Sequence, residues 1–537
     1  MTMATCKHLL KIISLFAAAL LLSGCSFFDF GIADLANNAG VGLEGETPDA
    51  PVQQAPAVDD VFSLNYDPSQ PINPLSSAST INLTFAPLIY EGLFALDENF
   101  HAAPTRLLRD CSTQDGVTWY LSVNSGVAMH DGSTLTAEDV RYSISAAVNS
   151  PLYGGRLSAV ADVAPPDADG VIQLTLKKPD FLFYQRLDIP IIKSGGIGAD
   201  VPPGTGPYVP NGDKTALTRF SQDPDAVRMP LDTIELKSYL SAQDKVSAFE
   251  DSSIDLVVND PNDLSNLGYG GASAVKYFQT TNMHYLGFNT GRGFFASPTL
   301  RGAVTFAVDR DDIVTNLMQG SAVAATLPMN PVFQYYDTAA AAYYNYSPDR
   351  CLAALKNGGV DDFDGDGMLE RLVGDTPTEV SLDFIVCGDS AVKVSAARAV
   401  ADSLNSLGLT VNVRELAWDQ YVSALENGNF DMYYGEVRLT ADFDLTELTK
   451  PGGGLNYGGY ADAGCDACIA AYLGAGDDER QTQAESMCRY VAEDAPFVPI
   501  AFAKQEVITH RGVVTGLTPT QGNVFFQFEN WKIDTNS

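Results

Sequence analysis

Histidine is scarce in this 537-residue chain: five occur, at positions 8, 101, 130, 284 and 510. No HExxH, G-x-S-x-G or Walker A pattern is present, so the common hydrolytic and nucleotide-cleaving machineries are not encoded. The remaining patterns offer recognition more than reaction. Arg438 has a planar fork suited to a carboxylate, and Glu436, two residues before it, can accept from a cationic group; an exposed ion pair of little consequence is the alternative. Asp442 and Asp444 could in principle form the carboxylate pair of a glycoside hydrolase, but nothing in the sequence fixes their separation. Asp362, Asp364 and Asp366 fill positions 1, 3 and 5 of an EF-hand-like loop, with Gly367 at position 6. Position 12 is Val373 where a bidentate Glu is required, so a structural calcium is left open and no other cofactor is expected.

Cys465 and Cys468 form a CxxC without a second pair or nearby histidines, which supports zinc weakly. Cys468 and Cys488 fall on successive helical patterns and could be linked, or all six cysteines after Cys25 could be free and buried.

The elements that must position these residues begin after a leader. Lys7 and Lys11 precede an apolar run from Ile12 to Leu22 and the sequence Leu22-Ser-Gly-Cys25. The run is about eleven residues, against roughly twenty for a membrane-spanning helix, and reads as a secretory signal over residues 1–24. Leu-Ser-Gly-Cys resembles a bacterial lipobox, which implies lipidation of Cys25 and anchoring to a membrane. Residues 25–58 lack Lys and Arg, and the stretch from Gly40 to Asp60 is rich in Gly, Pro, Glu, Asp, Gln and Ala, so 25–58 reads as a flexible tether. The formal charge of −35 becomes −37 without the two lysines of the leader, a balance that argues against nucleic-acid or anionic-membrane partners. The remaining length exceeds what one core serves, so two or more lobes are expected.

Strand patterns at Val61–Tyr66, Trp119–Val123, Ile172–Leu176, Thr233–Tyr239 and Met283–Phe288 alternate with helical ones. Thr136 with Asp139 predicts a capping box opening a helix. Thr299–Met318 predicts one long amphipathic helix, and Ser381–Val386, Ala391–Leu407 and Thr410–Glu415 predict a β-α-β unit with parallel strands. The class is α/β. His130-Asp-Gly132 and Gly204-Thr-Gly-Pro-Tyr208 read as turns, the glycines of the second supplying unusual dihedrals.

Four phrases in order now carry a resemblance: Trp119-Tyr-Leu-Ser-Val with His130-Asp-Gly and Leu135-Thr-Ala-Glu-Asp-Val140; Gly204-Thr-Gly-Pro-Tyr208; His284-Tyr-Leu-Gly-Phe-Asn289 with Ala307-Val-Asp-Arg310; and Glu493-Asp-Ala-Pro496. They resemble the large extracellular solute-binding proteins of family 5, the peptide/nickel type that serves ABC importers. The resemblance implies a two-lobed, periplasmic-binding-protein-like fold that catches its ligand by lobe closure and hands it to a membrane permease. It places a first lobe with an inserted subdomain at 59–279, completed by 505–537, and a second at 280–504. It further implies a monomer on the extracellular face of the membrane, periplasmic where an outer membrane exists, with an oligopeptide as ligand. A peptide-sensing receptor on the same fold is the alternative, and a secreted hydrolase a remoter one.

Peptide binders of the family carry a tryptophan and then an acid that takes the peptide amine; here Glu436-Val-Arg438 stands in the tryptophan region, and Asp442 or Asp444 could substitute for the acid. Tyr433 and Tyr434 alternate, so one can face the cleft, and Tyr434 is the candidate. Asn456 and Tyr457 in the glycine-rich loop, Trp418, and Tyr66 and Asn73 after the first strand complete the expected contacts.

Overall fold

Two long strands, Ser273–Phe288 and Phe497–His510, run antiparallel through the middle of one mixed sheet. Both are rich in β-branched and aromatic residues, which suit a pleated surface. In the computed structural model, which describes residues 61–262, 267–269 and 273–534, these strands join two lobes. The expected leader, Cys25 and the tether lie outside the described residues. No helix among the described residues is long and apolar enough to cross a membrane.

The halves of the long strands serve different partners. Ser273–Gln279 pairs with Lys504–His510, which continues to Leu256–Asn259, Ser63–Asn65 and Thr233–Lys237 in the first lobe. Met283–Phe288 pairs with Phe497–Phe502 on one side and Met432–Arg438 on the other, in the second lobe. The register shifts between Gln279 and Met283, and such an irregularity bends and twists a sheet. Beyond the bend the strands are wholly buried. Gly287 and Gly435 sit opposite Tyr433 and Tyr285, and a Cβ on either glycine would strike the facing ring at 2.1 and 2.6 Å. Each tyrosine therefore lies over the other strand's glycine, which is why Leu286-Gly-Phe carries its glycine.

The first lobe carries an inserted four-stranded antiparallel sheet, in which Thr118–Val123 lies between Leu108–Thr113 and Ile172–Leu176, with Val160–Val163 beyond. The helix Ala137–Val148 opens with a full capping box: the Thr136 side chain accepts from the Asp139 N–H, and the Asp139 carboxylate accepts from the Thr136 N–H. The two turn phrases meet. His130 Nε2 donates to the Gly206 carbonyl at 2.9 Å, and Nδ1 accepts from the Gly204 N–H at 3.3 Å, which fixes a neutral tautomer. Burial holds its pKa below the ordinary value. The glycines are needed here for room and not for dihedrals: neither has positive φ, but a Cβ on Gly204 or Gly206 would lie 2.5 or 2.6 Å from Ile89 backbone atoms.

In the second lobe, Ser381–Cys387 and Thr410–Leu416 are parallel, joined through the helix Ala391–Ser406. The single helix expected over 299–318 is broken. Pro298–Thr305 ends, Asp309 caps a new turn by accepting from the Asp312 N–H, and Ile313–Leu317 winds as a π-turn. The cause is Arg310, whose buried guanidinium donates to the carbonyls of Thr305, Val308, Ala325 and Pro499 and so stands in for helical hydrogen bonds. Cys111, Cys351, Cys387, Cys465, Cys468 and Cys488 are all free thiols, so no link joins Cys468 to Cys488. Burial pushes Cys465 and Cys488 up to about 12, away from thiolate reactivity.

Candidate functional site

Between the lobes lies a cavity of about 1220 Å³. Small-molecule pockets occupy roughly 300–1,000 Å³, so this one accepts a ligand larger than a single metabolite. Eight Lys or Arg and eight Asp or Glu line it, although the whole chain holds 32 basic against 67 acidic residues. The cavity thus gathers a quarter of the scarce cations.

Most of them are already held. Arg106 pairs with Glu91 at 2.8 Å and with Asp223 at 3.0 Å. Arg228 pairs with Asp225, Lys450 with Glu447, and Arg156 with Asp188. Arg186 is the most enclosed. It comes from the turn Phe183–Arg186 of the first lobe and donates through Nε and Nη2 to Asp442 Oδ2 at 2.8 and 2.6 Å, and through Nη2 to Asp444 Oδ2 at 3.1 Å. Asp180 stands 3.3 Å away. Burial alone would lower the guanidinium's pKa, but Asp442, Asp444 and Asp180 outweigh it and hold it above its ordinary value. Burial and the neighbouring Asp442 push Asp180 up to about 7. Burial opposes ionisation of Asp444 too, yet Arg186 and the Thr446 hydroxyl keep its pKa below the ordinary range. The cluster joins the lobes beside an apolar contact in which Phe100 meets Phe443 edge-on at 5.7 Å, and the Phe181 N–H donates to the Leu473 carbonyl.

Arg438 differs. It lines the same cavity at the end of Met432–Arg438, but its side chain makes no ion pair or hydrogen bond to a described residue. Its side chain is open to the cleft's solvent; desolvation by the surrounding walls and the charge of Arg156 hold its pKa below the ordinary value, with Asp188 and Tyr153 offsetting in part.

Of the ten expected ligand contacts, Arg438 and Asp444 line the cavity. The others are placed elsewhere, each for a visible reason. Asp442 is fully buried behind Arg186. Tyr434 is a core residue whose hydroxyl meets His284 Nδ1 at 3.1 Å, while Tyr433 packs on Tyr285, so neither lines the cavity. Glu436, two residues before Arg438 on the same face of the strand, stops short of the cavity and pairs with Lys393 at 2.6 Å. Tyr66 is buried edge-on against Phe85. Asn73 donates to the carbonyls of Gly196, Ile197 and Ala199, and Asn456 ties Lys450 to Tyr460; both amides fix loops. Tyr457 packs edge-on against Tyr433, and Trp418 is 59% exposed at the start of the helix Trp418–Glu426.

The acidic turn gains a member that the position-12 criterion overlooks: Glu370, at position 9, brings a buried carboxylate within 4.8 Å of those of Asp362, Asp364 and Asp366. Each of the four already accepts from a backbone N–H, of Gly365 and Gly367, Asp366, Met368 and Phe363.

Asp180, Arg186, Arg156 and Asp188 were not singled out by sequence. The available signal was a lone arginine within the apolar run Phe181-Leu-Phe-Tyr-Gln-Arg-Leu187, because a charge in such a run must find a partner.

Relatives agree with this architecture. The oligopeptide-binding protein AppA of Bacillus subtilis is 22% identical over 459 residues, 79% of this chain and 82% of its own. Its structure in complex with a nonapeptide superposes with a TM-score of 0.61 at 20% identity, covering 89% of this chain and all of that one. MppA, a periplasmic murein tripeptide-binding protein in an unliganded open form, gives 0.71 at 16% identity, with 89% and 99% covered. The sequence profile of bacterial extracellular solute-binding proteins, family 5 Middle, matches residues 107–445, well over half of the sequence, and the chain belongs to that family.

Proposed function

We propose that this protein captures a short peptide outside the cell, in the cavity between its lobes, and presents it to the permease of an ABC importer. The observation that carries the reading is the large interlobe cavity walled by charges of both signs, which suits a ligand with an ammonium and a carboxylate. Around Arg186 three carboxylates face one guanidinium, and Asp180 and Asp444 present that acidic excess to the cavity, where a peptide amine would sit. Relatives named for oligopeptides, glutathione and dipeptides support the same class. Binding by enclosure needs no chemical step, and the protein acts as a transport receptor and not as an enzyme. In this reading a lipid on Cys25 holds the monomer at the membrane, and the acidic turn at Asp362, Asp364 and Asp366 is a structural element on which calcium, if bound, adds stability alone.

Thermal unfolding of the full-length protein against pools of short peptides, oligosaccharides and metal ions tests the reading. A ligand that binds the folded state alone raises the midpoint, by about 2.7 kcal/mol of stability at a hundredfold excess over Kd. A shift with peptides is expected; a shift with sugars or metal ions alone would overturn peptide capture.

A further inference from the structure

The positive wall of the cavity carries more than general complementarity. Arg156, from the first lobe, holds Asp188 as an ion pair, and the charges of both reach Arg438, from the second lobe, across the cavity that all three line. Two guanidiniums with one carboxylate leave a net positive charge. Arg156 is also fixed in place, since its Nη2 donates to the Arg186 carbonyl at 3.3 Å while Arg186 Nη1 donates to the Arg156 carbonyl at 3.4 Å. Arg156 is therefore held beside the acidic cluster. Tyr153 lines the same place, and burial pushes its phenol up to about 12, so it stays a neutral donor. Arg438 keeps its charge, because arginine does not lose its proton, and its side chain faces the cleft's solvent with no hydrogen bond or ion pair to a described residue. A ligand oxyanion entering the cavity can accept from its free donors.

We propose that Arg438 and Arg156 form a carboxylate subsite that spans the two lobes, so that the ligand's own negative charge ties the second lobe to the first. The inference rests on the peptide reading for the identity of its ligand and deepens it: the ligand must carry a carboxylate, either its C-terminus or an acidic side chain. The planar fork of each arginine suits that group.

Three random tri- to hexapeptide libraries test it, offered to the full-length protein and read by mass spectrometry of what is retained. One has free C-termini and no Asp or Glu, the second has amidated C-termini with Asp and Glu, and the third is amidated without them. Retention of the first library assigns the C-terminus and of the second the side chain, while the third should be retained less by on the order of tenfold to a hundredfold, the effect of losing a charge-assisted hydrogen bond. Arg438→Met should abolish the preference for carboxylates. Equal retention of all three by the unaltered protein would overturn the subsite and leave peptide capture standing. Retention of none would remove peptide capture instead, and the subsite is then decided by the unliganded unfolding midpoint. Arg438→Met should leave that midpoint unchanged or raise it, since the side chain it removes bonds to no described residue; a lowered midpoint would show that Arg438 is a structural residue and overturn the proposal.

Discussion

Arg186 and Arg438 line one cavity and carry one charge, yet their surroundings are opposite. Arg186 is surrounded by Asp180, Asp442 and Asp444, while the Arg438 side chain bonds to no described residue and feels the charges of Arg156 and Asp188. The comparison separates two uses of arginine in a protein with few cations. A saturated guanidinium holds the lobes' architecture, and an unsaturated one waits for something from outside.

The largest effect should come from breaking the saturated member. Arg186→Met leaves the fully buried Asp442 and its neighbours without their cation, and should destabilise the fold by about 3–5 kcal/mol in urea unfolding. Arg438→Met should lose ligand binding with no such loss of stability; a comparable destabilisation would erase the distinction.

A pH series sharpens the comparison. The folded-state pKa of Asp180 is raised from 3.8 to about 7. Between those values the folded state therefore binds more protons than the unfolded one, so this group's contribution to stability is present below pH 3.8 and falls as pH rises toward 7. Asp444 acts in the opposite sense: its depressed pKa gives stability above the ordinary carboxylate range that is lost on acidification. Asp180→Asn should flatten the decline between pH 4 and 7 and stabilise the protein at pH 8, as measured by unfolding free energy across that range. An unaltered pH profile would mean that Asp180 is not strained by its neighbours.

The smallest effect is expected at the acidic turn. Asp364 is exposed and accepts from the Asp366 N–H, so Asp364→Asn should change stability by no more than about 0.5 kcal/mol in calcium-free buffer. A larger loss that appears with calcium present and vanishes on chelation would assign the turn a metal.

Much of the scaffold was legible because its causes are local. The capping box of Thr136 and Asp139 and the turn at His130-Asp-Gly132 each depend on neighbours within a few residues, and the β-α-β unit around Ala391–Ser406 joins strands adjacent in the sequence. The site was legible only at Arg438 and Asp444. Asp442 looked available because its partner, Arg186, lies 256 residues earlier in the chain. Glu436 and Tyr434 looked like cleft residues because they share a strand face with Arg438, but alternation does not say how far along that face the cleft extends; His284 and Lys393 engage them before it is reached. Asn73 and Asn456 are polar residues in loops, and the loops themselves consume their hydrogen bonds.

The most direct test compares heat unfolding of the unaltered protein, Arg186→Met and Arg438→Met, each with and without the free-acid peptide library. The account predicts a low midpoint for Arg186→Met, and for Arg438→Met an unliganded midpoint at or above that of the unaltered protein but without the peptide-induced rise. An Arg438→Met protein that unfolds early yet still gains stability from the peptides would contradict it.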